Sequence, residues 1–333
     1  MKAVVLGSGG WGTAIAMLLC GNGHEVTLWS HNSEKAENLS LTRENPLLRN
    51  VHIPEEITVT SDMNCLRNAD VVVFASPSFA LREIAKKAAA YLSSKAVLVS
   101  ATKGIERGTH LRMSQIIEQE TEGKYPVAVL SGPSHAEEVA RDIPTGCVIA
   151  AKEETLAKQL QAAFTGKNFR TYTHDDMVGV ELGGALKNVA ALCCGISDGI
   201  GMGDNTKALL ITRAVAEMSR LAVKLGGRNE TLAGLAGLGD LIVTCTSTHS
   251  RNYRAGFAIG QGKAPQAVVE EMGAVVEGYY AACSAHELCI QTGAEMPICE
   301  AVYEVLYCGT DVTEGLRKLM NREMKAECGS VWG

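Results

Sequence analysis

The 333-residue sequence has no CxxC pair and no His/Cys cluster at zinc spacing, although it holds eleven cysteines. The common signatures of structural zinc and of a dithiol redox motif are therefore missing. The cysteine number is odd and no secretory leader is expected, a reading that fits buried thiols in a reducing compartment. Cys193 and Cys194 are adjacent inside an apolar helical run. There is no positive excess either, since the formal net charge is −6. General attraction to nucleic acid or to an anionic membrane is excluded, and any bound anion must be held by local cations. No apolar run approaches the roughly 18 to 20 residues that a membrane helix needs. Lys2 leads straight into Ala-Val-Val-Leu, which leaves no room for a signal peptide. Internal repeats and low-complexity linkers are absent. The expectation is a cytoplasmic globular protein with a large core.

What is present is alternation. Near-continuous apolar strands are expected over Ala3–Leu6, Glu25–Trp29, Val71–Ala75, Ala96–Ser100, Val127–Leu130 and Gly146–Ala150. Helices are expected over Thr13–Gly21, Glu34–Arg43 and Ala80–Leu92, with a Pro-containing loop over Asn45–Glu56. This pattern predicts an α/β fold, a doubly wound, Rossmann-type parallel sheet covered on both faces. Beyond Asp175 strands almost vanish. Met177–Gly195, Lys207–Leu225, Leu232–Cys245, Ala267–Met272, Tyr279–Gln291, Ile298–Cys308 and Val312–Met320 read as helices. A nucleotide-binding domain over residues 1–175 and an all-α domain over 176–333 follow, with the chemistry expected in the cleft between them.

Gly7, Gly9 and Gly12 form a GxGxxG turn that follows a strand and opens an apolar helix. One glycine permits the tight turn, one lets the backbone approach a pyrophosphate, and one lets helix and strand pack closely. Exposed N–H groups and the helix dipole then hold phosphate. The second strand ends Ser30-His31-Asn32, without the acid that holds a ribose 2′-hydroxyl in NAD-selective sites. His31 and Asn32 are candidate donors to a 2′-phosphate, so NADPH is expected to be accepted. The alternative is that His31 simply ends a strand at the surface.

Several groups can carry chemistry. Lys103 follows a parallel strand, at the edge where ligands bind in such sheets; it also reads as a solvated loop lysine. Ser134 follows the next strand and reads as a helix N-cap with Glu137 as capping-box partner, beside Gly132 at the same edge. Lys187 shares a helix face with Gly183, Gly184, Ala191 and Cys194, where nothing is an anion. Burial lowers the pKa of lysine and suits it to acid–base work. Asp240 and Thr244 lie on one face of an apolar helix, and the aspartate needs a cation, Lys187 first and Lys103 second. A dipole-stabilised first-turn carboxylate is the other reading. Ser250, Arg251 and Asn252 combine a cap, a bidentate phosphate binder and an amide, or form a polar loop.

The blocks GSGGWGTA (7–14), ATKG (101–104), SGPS (131–134), GGALKNVAA (183–191), SDGIG (197–201), AGLGDL (236–241), SRN (250–252) and VVEGY (275–279), in this order, resemble the bacterial NAD(P)-dependent glycerol-3-phosphate dehydrogenases. The resemblance implies reversible reduction of dihydroxyacetone phosphate to sn-glycerol 3-phosphate with NADPH or NADH, supplying phospholipid synthesis. It implies Lys187 as proton donor and acceptor, with Lys103 and Asp240 in the catalytic group. Lys103, Gly132, Ser134, Lys187, Asn188, Asp240, Thr244, Ser250, Arg251 and Asn252 would line the substrate site. Gly7, Gly9, Gly10, Trp11, Gly12, His31, Lys103, Ala136, Arg251, Val275 and Glu277 would touch the cofactor. Gly10 stands where relatives often carry serine, and SGPS replaces the commoner SGPT. No metal is called for, since cations supply the electrophilic role. Small-molecule partners and a homodimer are expected. The rival readings are a two-domain 2-hydroxy-acid dehydrogenase, which would bind carboxylate instead of phosphate, and a non-catalytic NAD(P)H sensor.

Overall fold

The computed structural model describes residues 1–273, 275–324 and 326–327. The first part follows the order β1 (Lys2–Leu6), α1 (Gly10–Gly21), β2 (Glu25–Trp29), α2 (Ser33–Thr42), β3 (Thr58–Thr60), β4 (Val71–Phe74), α3 (Leu81–Ala89), β5 (Val97–Ser100), α4 (Met113–Glu120), β6 (Val127–Ser131), α5 (Ala136–Val139), β7 (Thr145–Ala151), α6 (Glu154–Phe164) and β8 (Phe169–His174). The eight strands form one sheet in the order β3-β2-β1-β4-β5-β6-β7-β8. Residues of β1 alternate between two apolar clusters: Ala3 and Val5 pack on one face, Val4 and Leu6 on the other. Both faces are therefore buried, which explains the near-continuous apolar strands.

The sheet departs from expectation in two ways. It includes β3 and β8, which the apolar pattern does not reveal, and β7 runs antiparallel to β6. The link from Ser131 to Thr145 contains only the one-turn α5. That is too little helix to cross a sheet face and restore a parallel direction, so the chain folds back.

The helical part follows as α7 (Met177–Gly199), α8 (Asp204–Lys224), α9 (Asn229–Ala233), α10 (Asp240–Thr246), α11 (Arg251–Gly260), α12 (Pro265–Glu271), α13 (Glu277–Thr292), α14 (Pro297–Tyr307) and α15 (Val312–Met320). The continuous helix expected over Leu232–Cys245 is broken. Gly234, Gly237 and Gly239 weaken it, and a π-helical turn over Leu235–Gly239 delivers the chain to α10. The SRN segment is the start of α11 and not a loop.

At the centre stands α7, buried almost all round. Contrary to the reading of the apolar runs, it is long and apolar enough by composition to cross a membrane, yet 94% of its apolar window is buried inside the protein. It lies against α11 at glycine contacts: a Cβ at Gly195 would overlap Tyr253 O, and one at Gly256 would overlap Leu192 O. Near its start, Glu181 accepts from Ser114 N at 2.7 Å and Ser114 Oγ at 2.7 Å and pairs with Arg112, which ties α7 to α4.

Glu217 on α8 is 3% exposed and accepts from Ile298 N at the start of α14 at 3.0 Å. Burial pushes its carboxyl pKa up to about 7, against the pull of those backbone N–H groups. Folding thus disfavours the ionised form, and its cost grows as pH rises from the usual carboxyl range through about 7. Glu217→Gln should therefore leave the thermal midpoint near wild type at pH 5 and raise it by several degrees at pH 8. Calorimetry at the two pH values checks this, and an equal effect at both would contradict it.

Candidate functional site

At the first turn, Gly9 is an extended N-cap and α1 begins at Gly10, earlier than Thr13. Gly7 has φ +131°, and a Cβ there would lie 2.6 Å from Ala75 O. A side chain at Gly12 would overlap Gly7 O. Those two glycines are demanded by the turn and by helix–strand approach. Gly9 differs, for a Cβ there would meet nothing within 4 Å. The space above Gly9, the free N–H groups of α1 and the absence of acid in its first turn fit a pyrophosphate. The turn is braced by Ser8 Oγ, which donates to Ser30 Oγ at 2.9 Å, and by Asn45 Nδ2, which donates to Thr13 Oγ1 at 2.8 Å. Trp11 Nε1 donates to Ala101 O at 3.1 Å, beside the ATKG loop. Ala136 Cβ lies 3.5 Å from where a Cβ of Gly10 would be. His31 is exposed past the end of β2. Asn32 caps α2 by accepting from Lys35 N at 2.7 Å, so its oxygen is already engaged.

The candidate chemical groups converge on Asp240, which is 1% exposed. Lys103 Nζ donates to Asp240 Oδ2 at 2.7 Å, and Lys187 Nζ donates to Oδ1 of the same carboxylate. Both expected cations are thus its partners. Burial alone would raise the Asp240 pKa, but the two ammoniums outweigh it and hold the carboxyl below its ordinary value. Burial pushes Lys187 down to about 8; the charge of Lys103 adds to this and Asp240 opposes it. Thr244 Oγ1 accepts from Lys187 Nζ at 2.9 Å and donates to Asp240 O at 2.5 Å. Two of the three Lys187 protons are therefore held and one remains. Lys103 has all three engaged, its other acceptors being Gly132 O at 2.9 Å and Ser134 Oγ at 3.3 Å.

Ser134 is not the expected N-cap. Its hydroxyl donates to Gly132 O at 2.9 Å, and His135 takes the cap position of α5 without a side-chain cap bond. The helix starts one residue later than the capping-box reading requires.

Ser250 does cap α11, accepting from Tyr253 N at 3.2 Å. Arg251, in the first turn of α11, is exposed. Asn252 is buried, and its amide links Asn188 Oδ1 at 2.9 Å to Gly278 N at 2.9 Å. Val275 lies two residues before α13 and is half-buried. Glu277 reaches back to the sheet, where its carboxylate accepts from Ser78 N at 3.1 Å and Ser78 Oγ at 2.6 Å. Burial raises its pKa, opposed by Ser78 and by the charge of Arg251. Ser78 carried no signal in the sequence, and neither did His135, whose Nε2 lies 3.2 Å from Val243 O. A groove of about 750 Å³ between β8 and Leu235 is lined by none of these predicted residues.

A doubly wound sheet whose first turn is open above Gly9, next to helices that bury a lysine on a carboxylate, defines a dinucleotide-binding oxidoreductase. The family models for the N-terminus and C-terminus of NAD-dependent glycerol-3-phosphate dehydrogenase match residues 2–157 and 176–317. The chain belongs to that family. It is 48% identical to a glycerol-3-phosphate dehydrogenase [NAD(P)+] of Fusobacterium nucleatum, covering 99% of both chains. The crystal structure of glycerol-3-phosphate dehydrogenase from Coxiella burnetii is 37% identical with a TM-score of 0.92, over 96% of this chain and 99% of that one. The enzyme structure from Saccharomyces cerevisiae is 27% identical with a TM-score of 0.82, over 97% and 99% of the two chains.

Proposed function

We propose that the chain reversibly reduces dihydroxyacetone phosphate to sn-glycerol 3-phosphate, using NADPH or NADH. The substrate would lie between a nucleotide-binding unit, residues 1–175, and a helical unit, residues 176–333. One observation carries this reading: two ammoniums share one buried carboxylate, which leaves an excess positive charge in the cluster. A phosphorylated carbonyl compound that develops negative charge on its oxygen suits such a site. The same reading weighs against the sensor, which has no use for an acid–base lysine.

Gly9, Gly10 and the start of α1 would hold the pyrophosphate of the dinucleotide, whose nicotinamide would supply the hydride. Lys187 gives its free proton to the carbonyl oxygen during reduction and accepts it during oxidation. Asp240 and Thr244 aim the ammonium. Lys103 stabilises the developing oxygen charge, and its longest bond, to Ser134, is the one to yield when substrate enters. Arg251 and Ser250 hold the phosphate, which converts remote binding energy into positioning. Asn252 and Asn188 brace that end of the site. Gly132 is required where β6 meets β7, since a Cβ there would lie 2.9 Å from Cys147 Cα, and its carbonyl holds Lys103; Ala136, Trp11, Val275 and Glu277 would flank the dinucleotide. The odd cysteine number and the frequency of two-fold assemblies support a cytoplasmic homodimer.

Lys187→Ala should lower kcat by about three orders of magnitude or more while dinucleotide binding survives. In the wild type, kcat/KM for reduction should fall as pH rises through about 8, because the donor is then deprotonated. Retained turnover in the variant, or a pH profile flat across that region, would remove Lys187 from the mechanism. Arg251→Ala should raise KM for dihydroxyacetone phosphate by roughly a hundredfold, as loss of a charge-assisted phosphate clamp does. Steady KM and kcat would place the phosphate elsewhere. Initial rates with NADPH should at least equal those with NADH, since no acid stands at residues 30–32 to repel the extra phosphate. A clear preference for NADH would refute this.

A further inference from the structure

We propose that His135 is a positioning residue for Lys187, acting by capping the C-terminal end of the helix that holds the lysine. This rests on the reading of Lys187 as the proton donor.

The physical need is plain. Helix α10 spans only seven residues, Asp240 to Thr246, and both its ends are irregular. A π-helical turn precedes it, and Ser247 after it is extended, with φ −104° and ψ 134°. The last four carbonyls of a helix have no partner within it. Val243 O is one of them, and among the described residues its hydrogen-bond partner outside the helix is His135 Nε2 at 3.2 Å. A carbonyl oxygen only accepts, so Nε2 carries a proton. Capping by a histidine side chain at a helix C-terminus is a recognised solution to orphan carbonyls.

The capped residue matters because of its neighbour. Thr244 follows Val243, and Thr244 and Asp240 together grip Lys187. His135 comes from the other side of the site, directly after Ser134. Only one other bond described above joins the sheet edge to α10, that of Lys103 to Asp240, and both of its groups belong to the proposed catalytic cluster. The His135 bond involves none of the groups proposed to react. Charged or titratable groups around His135 are Lys187, Glu137, Asp240 and the ring of His249, whose centroid is 5.9 Å away. Burial pushes the His135 pKa below its usual value, so near neutral pH the ring is uncharged and acts as a donor, not as a further cation.

The test compares His135→Leu, which removes the donor, with His135→Gln, whose amide N–H can reach the same carbonyl. His135→Leu should lower kcat about tenfold or more with KM for the dinucleotide unchanged, since small displacements of a catalytic group cost that much. It should also move the pH-8 limb of kcat/KM downward, because a loosened Asp240 favours the Lys187 ammonium less. The charged and titratable groups acting on that limb are Asp240, Lys103, Cys245 and His135. His135→Gln should restore both kcat and the limb. If His135→Leu does not fold, His135→Asn, too short to reach Val243, replaces it in the comparison. A second readout is the pH dependence of Lys187 acetylation by acetic anhydride, followed by mass spectrometry on cofactor-free protein. It needs no substrate, so absence of dihydroxyacetone phosphate reduction in the wild type would sink the functional reading while leaving this one measurable. Wild-type kcat and Lys187 titration in the donorless variant, or failure of His135→Gln to rescue, would overturn the proposal.

Discussion

A single buried carboxylate organises this molecule. Asp240 is almost wholly withdrawn from water, which is costly for an ion without a partner, and it is held charged by two ammoniums that reach it from different parts of the chain. Lys103 arrives from the end of β5 and Lys187 from the middle of α7. The bond from Lys103 therefore closes the sheet onto the helices, and the bond from Lys187 closes one helix onto another. Lys187 could not be buried here alone, and the carboxylate could not be buried without its two cations.

Such a cluster needs a rigid frame, because Coulomb energy in a dry interior changes steeply with distance. The frame is α7. Its glycines let α11 approach to backbone contact, while Glu181 fastens its first turns to α4. Lys187 thus projects from a rod fixed at several points. The apolar composition that would let α7 span a bilayer is instead consumed by packing on every side. The same burial that requires an apolar surface is what pushes the Lys187 pKa toward neutrality.

These relations differ in how far the sequence reveals them. Central strands were readable because both faces are buried and their residues run apolar without a break. The edge strands β3 and β8 read Thr-Val-Thr and Phe-Arg-Thr-Tyr-Thr-His, with Thr58, Arg170, Tyr172 and Thr173 exposed to water, so neither is a continuous apolar run. Helix α11 opens on Arg-Asn-Tyr-Arg and carries Gly256 and Gly260, so its composition suggests a loop until α7 is placed against it. Lys187 and Asp240 stood out because each is a lone charge on an apolar face, a conflict that only a distant partner resolves. The Glu277–Ser78 bond spans 199 residues and joins two groups that are unexceptional in their own segments. The His135 bond was invisible for another reason: its acceptor is a main-chain carbonyl, and no side chain at Val243 records it.

Counting protons separates the two lysines. An ammonium has three to give. Those of Lys103 are all engaged, on Gly132, Ser134 and Asp240. Among the described residues, those of Lys187 meet only Asp240 and Thr244. A group with every proton tied down contributes charge, whereas a group with one free contributes a proton. The pKa of Lys187, near 8, lets that proton move in either direction close to neutral pH. On the proposed reading, two identical side chains on one carboxylate serve as an electrostatic anchor and as an acid, and the difference comes from neighbours: a carbonyl and a hydroxyl at the sheet edge for one, a single threonine on a short helix for the other.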